Sequence, residues 1–115
     1  MRNARQKMTK FKNVKTTVDG IKFDSKKEAA RYCELKLLLK AGKIKSLELQ
    51  KVFVLAQSVI INGRKRPPLK YICDFYYADN LRGFVTEDVK GVKTAAYIIK
   101  RHLMKSVHGI AINEI

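Results

Sequence analysis

Acidic side chains are scarce in this chain. Ten Asp and Glu stand against twenty-five Lys and Arg, giving a formal charge of +15 at pH 7. That excess is far beyond what solubility requires and predicts a polyanionic partner, most simply nucleic acid. A ribosomal-type or merely solvated basic surface would show the same excess. Against that stands the placement of three of the few acids, Asp74, Glu87 and Asp88, in two apolar strand-like segments. A carboxylate there is costly to bury unless it is paired or metal-bound. Cysteine is equally sparse. Cys33 and Cys73 lie far apart in apolar surroundings and read as small buried hydrophobes of a reducing cytoplasm, not as a disulfide framework. His102 and His108 have no cysteine at zinc-site spacing, so no structural zinc is expected. Long apolar runs are also missing. None is long enough to span a bilayer, and none follows the basic N-terminus, so neither an anchor nor a secretory leader is expected.

What is present suffices for one globular domain with a modest core: 115 residues, 46% of them hydrophobic. Residues 1–12 carry Arg2, Arg5, Lys7, Lys10 and Lys12 and no acid. They read as a flexible basic arm that orders on a phosphate backbone, ahead of a domain at 13–115. Val14–Val18 and Ile21–Phe23 flank Asp19-Gly20, a favoured two-residue turn, and predict a small hairpin. Ser25 with Glu28 fits a capping box, and Gly42 is a natural stop, so a helix is expected from Ser25 to about Ala41. Tyr32, Leu35, Leu38 and Leu39 form its apolar stripe.

Leu47–Leu55 reads as the first strand of the core, continued by Val59–Ile61. Asn62–Pro68 reads as a basic loop, because Pro67 and Pro68 forbid a central strand. Leu69–Tyr77 is expected as a strand, Ala78–Arg82 as a turn and Gly83–Lys90 as the next strand. A second helix is expected over Lys93–Lys105, with Ala95, Ile98, Ile99 and Leu103 buried. Ile110–Ile115 alternates as a closing strand. The order after the hairpin is αβββαβ, an α/β (α+β) chain with a mixed central sheet flanked by helices.

The stretch from Tyr71 to Gly91, YICDFYYADNLRGFVTEDVKG, carries the chemistry. Strand side chains alternate between faces, so Asp88 and Lys90 point one way and Val89 the other. If the two strands pair as a hairpin, Asp74 comes beside Asp88 on that face. Two carboxylates there can hold Mg²⁺, a hard cation that takes oxygen ligands. A plain Asp88–Lys90 ion pair would account for two of the three residues without chemistry, and a buried salt bridge would account for Asp74. Glu87 alternates to the opposite face with Val85 and Val89, where a helix lysine could meet it. Glu28 either closes the capping box or, on one stripe with Tyr32, Leu35 and Leu39, points toward the sheet. Gln50 ends LELQ as an ordinary polar strand residue or as a neighbour of the site. Lys26, Lys27, Arg31, Arg64, Lys65, Arg66 and Lys93 are candidate DNA phosphate contacts.

An acid on one strand followed by acid-x-lysine on the next resembles the PD-(D/E)XK nuclease superfamily. Asp74 matches its first acid, Asp88 the second and Lys90 the lysine, with Cys73 where a proline often stands. The αβββαβ order over roughly Asp24–Ile115 is that superfamily's restriction-endonuclease-like core order. The stretches VDGIKFDSKKEAARY, AGKIKSLELQ, YICDF and EDVKG are similar to small phage-encoded proteins grouped with Holliday-junction resolvases. The resemblance implies Mg²⁺, with Mn²⁺ as a substitute, held by Asp74, Asp88 and the backbone carbonyl of Val89. It also implies Glu28 as an additional acid of the metal shell, Gln50 near the site and Lys90 acting on phosphate and water. The expected activity is Mg²⁺-dependent, structure-selective DNA endonuclease action in recombination, of the phage-type Holliday-junction resolvase kind, in the cytoplasm of a bacterial host. Symmetric cutting of a junction needs two sites, hence a two-fold homodimer. The alternatives are a nicking or repair endonuclease on flaps, mismatches or duplex, and a non-catalytic basic nucleic-acid-binding protein.

Overall fold

Asp19 and Gly20 both adopt positive φ (53° and 77°), as the two central positions of a tight hairpin turn require. They join β1 (Thr16–Val18) to β2 (Ile21–Phe23), antiparallel with Thr16 opposite Phe23. The structure is a computed structural model, and it describes residues 14–115. The predicted basic arm at residues 1–12 lies outside the described residues. Two compact units divide the chain at Gly42/Lys43.

In the first unit, helix α1 (Lys26–Lys40) starts at Ser25, whose hydroxyl accepts the Glu28 backbone N–H. It ends at Ala41, and Gly42 follows with φ of 77°, a conformation glycine adopts without a Cβ clash. Both signals behave as the sequence predicts. Phe23 and Tyr32 bring their rings to 5.0 Å, and the Tyr32 hydroxyl donates to Asp19 at 3.0 Å. Helix and hairpin are thereby tied together. Cys33, by contrast, is exposed on α1. The expectation of a buried Cys33 fails because the residue beside Tyr32 turns to the outer side of the helix.

The second unit holds a four-stranded mixed sheet built from β3 (Ile44–Leu49), β8 (Phe75–Asp79), β9 (Gly83–Asp88) and β10 (Asn113–Glu114). Their order across it is β10-β9-β8-β3. β10 runs parallel to β9, and the other pairings are antiparallel. Two shorter sheets accompany it: β4 (Val52–Ala56) with β7 (Leu69–Ile72), and β5 (Val59–Ile61) with β6 (Arg64–Arg66). Helix α2 (Ala95–His108) is capped by Thr94, whose hydroxyl accepts the Tyr97 N–H, and stops at Gly109 with φ of 71°. Tyr97 and Met104 from α2 pack with Phe53 and Leu55 of β4, Tyr71 of β7 and Cys73 just after it to form a core cluster. The mixed α and β class is as expected.

Several strand boundaries differ from the sequence reading. The predicted strand Leu47–Leu55 is two strands, because Gln50 has φ of 56° and turns the chain. The predicted strand Leu69–Tyr77 breaks at the matching place. The Gln50 N–H donates to the Asp74 carbonyl, and the Cys73 N–H donates to the Lys51 carbonyl, both at 3.1 Å. The two breaks therefore form one paired kink, with Asp74 at its corner. Finally, Val59–Ile61 does not continue an earlier strand, and Arg64–Arg66 is not a loop. Asn62 and Gly63, at φ 51° and 75°, make the same tight turn as Asp19-Gly20 and fold the two segments into a basic ribbon. The closing strand is confined to Asn113–Glu114.

Candidate active site

The face that β9 offers follows from its register. Phe75 lies opposite Glu87 and Tyr77 opposite Val85, so these four share one side of the sheet and Asp88 lies on the other. Glu87 is fully buried, and the Tyr77 hydroxyl donates to its carboxylate. Sharing Asp88's side, Tyr76 stacks on Phe84 and meets Phe53 edge-on.

At the end of this hairpin the predicted residues converge. Asp74, freed from ladder pairing by the kink, turns its Oδ2 to accept the Val89 N–H at 2.7 Å, while its own N–H donates to the Glu87 carbonyl at 3.1 Å. Its carboxylate is thus fixed against the backbone next to Asp88. Asp88 is 3% exposed. Its Oδ2 accepts the Tyr71 hydroxyl at 2.5 Å and faces Lys90 Nζ at 3.5 Å. The structure therefore brings together Asp74, Asp88, Val89 and Lys90. Gln50 joins them through its backbone N–H on the Asp74 carbonyl, with its side chain exposed.

The remaining candidates belong to other elements. Glu28 is buried on the first turn of α1, in the other unit, where Lys26, Lys27 and Arg31 also stand. Arg64, Lys65 and Arg66 form the exposed strand β6. Lys93 pairs with Glu114 at 3.8 Å.

Sequence reasoning missed two tyrosines and an acid. Tyr71 holds Asp88, and Tyr97 lies under Lys90 with Nζ 4.2 Å from its ring centroid, a cation–π contact that seats the ammonium. The Tyr97 hydroxyl donates to Glu114 at 2.6 Å, and Arg101 donates to the same oxygen at 2.9 Å. Burial first, and then the bond to Asp88, push the Tyr71 hydroxyl pKa far up, so it remains a donor. Burial, then Glu114, act likewise on Tyr97. The Tyr97 hydroxyl and then Arg101 hold Glu114 below the ordinary carboxylate range, against a smaller opposing effect of burial. The available signal was general: a buried tyrosine hydroxyl seeks a polar partner.

The donor set fits a hard divalent cation. No described residue donates to Asp88 Oδ1, and a buried carboxylate oxygen without a partner is costly. No group of three or more His, Cys, Asp and Glu converges among the described residues. Two carboxylates with the Val89 carbonyl suit Mg²⁺, which keeps several waters and takes one or two protein carboxylates beside substrate phosphates.

Residues 8–109 match the family described as protein of unknown function, DUF1064. The chain belongs to that family. The match takes in both helices of the DUF1064 protein together with Asp74, Asp88 and Lys90, and ends before Glu114. No curated protein and no solved structure matches it. Among the described residues of this DUF1064 chain, no helix is long and apolar enough to cross a membrane.

Proposed function

We propose that this protein is a Mg²⁺-dependent endonuclease that hydrolyses phosphodiester bonds in branched DNA, of the Holliday-junction resolvase kind. The observation that carries the reading is the Asp88 carboxylate. One oxygen is held by Tyr71 and Lys90, the other receives no donor from the described residues, and Asp74 is fixed on the adjoining backbone. Asp74, Asp88 and the Val89 carbonyl would hold the cation. When bound there, Mg²⁺ supplies activation of a water and neutralisation of phosphate charge. Lys90 donates to a phosphate oxygen and orients the attacking water, and the Tyr97 ring limits where its ammonium can stand. Tyr71 keeps Asp88 in one rotamer, so the carboxylate is placed before substrate arrives.

The formal charge of +15 supports DNA as the partner, and the likeness to junction-resolving proteins supports a branched substrate. A two-fold dimer would place one such site on each of two opposing strands. The test is nicking of supercoiled plasmid, and cleavage of a fixed four-way junction, a flap and the constituent duplexes, with Mg²⁺ and with EDTA. Paired symmetric nicks in the junction that resist excess linear competitor are expected. Equal cutting of every substrate would leave a nicking or repair endonuclease.

The 3.5 Å contact between Lys90 and Asp88 favours one other reading, in which the pair is structural and the protein only binds nucleic acid. DNA binding with no EDTA-sensitive nicking would establish it.

Tyr71→Phe separates the roles further. It removes the hydroxyl on Asp88 and keeps the ring in the core. The Mg²⁺ concentration for half-maximal cleavage should rise by about tenfold or more, the usual scale for losing a group that orients a ligand. An unchanged Mg²⁺ dependence would show that Tyr71 is only core.

A further inference from the structure

A cleft of about 300 Å³ is lined by Lys70 and Tyr71 of β7, by Tyr97 and Lys100 of α2, and by Asp88 and Lys90. β7 pairs only with β4 among the described strands, so its second edge is open, and consecutive residues of that strand line the cleft. Lys100 stands three residues after Tyr97 on α2 and shares its face.

The cations around this cleft fall into two groups. Lys93 and Arg101 share the one Glu114 carboxylate, at 3.8 and 2.9 Å, which offsets one of their two charges. Lys70 and Lys100 have no ion pair with any described carboxylate. With Lys90 set against Asp88, Lys70 and Lys100 leave the cleft with two uncompensated positive charges. Two ammonium groups that have no paired acid in one concave, partly apolar site repel each other unless an anion lies between them.

We infer that this cleft seats the nucleic-acid strand next to the bond that is cut, with Lys70 and Lys100 gripping phosphates that flank the one served by Lys90. The inference rests on the nuclease reading for what Lys90 does, and on the cleft alone for what Lys70 and Lys100 bind. Neither lysine touches the reacting phosphate. They fix the register of the strand, since phosphate contacts position a duplex without reading its sequence.

The experiment compares the full-length wild type with Lys70→Ala/Lys100→Ala and Lys70→Arg/Lys100→Arg. Binding of a fluorescent four-way junction is followed by anisotropy in EDTA over about 50 to 200 mM salt, the range over which counterion release is steep. Cleavage kinetics are followed separately in Mg²⁺. The slope of log affinity against log salt should become shallower by about 0.9 for each lysine lost. The cleavage defect should fall mainly on KM, because the contacts are made equally in ground and transition states. The arginine pair should restore the wild-type slope. An unchanged slope in the alanine pair would overturn the inference even if the protein proves to be a nuclease, and so would an arginine pair that behaves like the alanine pair. A shallower slope in a protein that cuts no DNA would uphold the cleft and sink the nuclease reading.

Discussion

Asp88→Asn is expected to lower Mg²⁺-dependent cleavage by about a thousandfold or more while leaving DNA binding near the wild-type level. The amide keeps the size of the carboxylate, and its oxygen can still accept the Tyr71 hydroxyl that now meets Oδ2 at 2.5 Å. What disappears is the charge on an oxygen, Oδ1, that no described residue occupies. A bound divalent ion contributes several kcal/mol of charge stabilisation in phosphoryl chemistry, and about 4 kcal/mol corresponds to a factor on the order of a thousand. Asp74→Asn should behave alike, since an amide oxygen can also accept the Val89 N–H that Asp74 holds at 2.7 Å. Binding is carried by the surplus of cations and should survive both changes. The measurement is single-turnover cleavage of a junction alongside anisotropy binding. Near-normal turnover in either variant removes that residue from the site.

Lys90→Ala should reduce the cleavage rate by about a hundredfold or more, the scale for losing a preorganised group that stabilises developing charge. Mg²⁺ binding, followed by isothermal titration calorimetry, should persist, because the carboxylates and the Val89 carbonyl are untouched. Glu87→Gln is the companion variant. It lies on the opposite face with Tyr77 as its partner, so its effect on rate should be within a few-fold, any larger change appearing in stability. If Lys90→Ala cleaves almost as fast as wild type, its 3.5 Å contact with Asp88 is a structural ion pair. The non-catalytic reading then gains.

The parts of the molecule that were legible in the sequence are those governed by local rules. Alternation along a strand put Asp88 and Lys90 on one face and Glu87 on the other, and the register agrees. Ser25 and Gly42 marked the ends of α1 because caps depend on a single residue's hydroxyl or its lack of a Cβ. The rest depends on contacts distant in sequence. Nothing local marks Gln50 for a positive φ. Its N–H is satisfied by Asp74, twenty-four positions on, and the kink exists only when both segments are present. The ribbon at Val59–Arg66 was hidden by Pro67 and Pro68, which rightly end β6 but say nothing of the Asn62-Gly63 turn before it. Tyr97 reaches Lys90 only because α2 packs back on β7 and β4, a tertiary choice no motif records.

The two cysteines give the site a built-in reporter. Cys33 is exposed and Cys73 is fully buried, and burial above all lifts the Cys73 thiol to a pKa of about 11. Thiolate is the reactive form, so a maleimide at neutral pH should find Cys33 at once and Cys73 only when the kink opens. Cys73 adjoins Asp74, and its N–H closes the kink on Lys51. The slow second labelling event therefore times the breathing of the same corner that carries the first carboxylate, with no tag or mutation added.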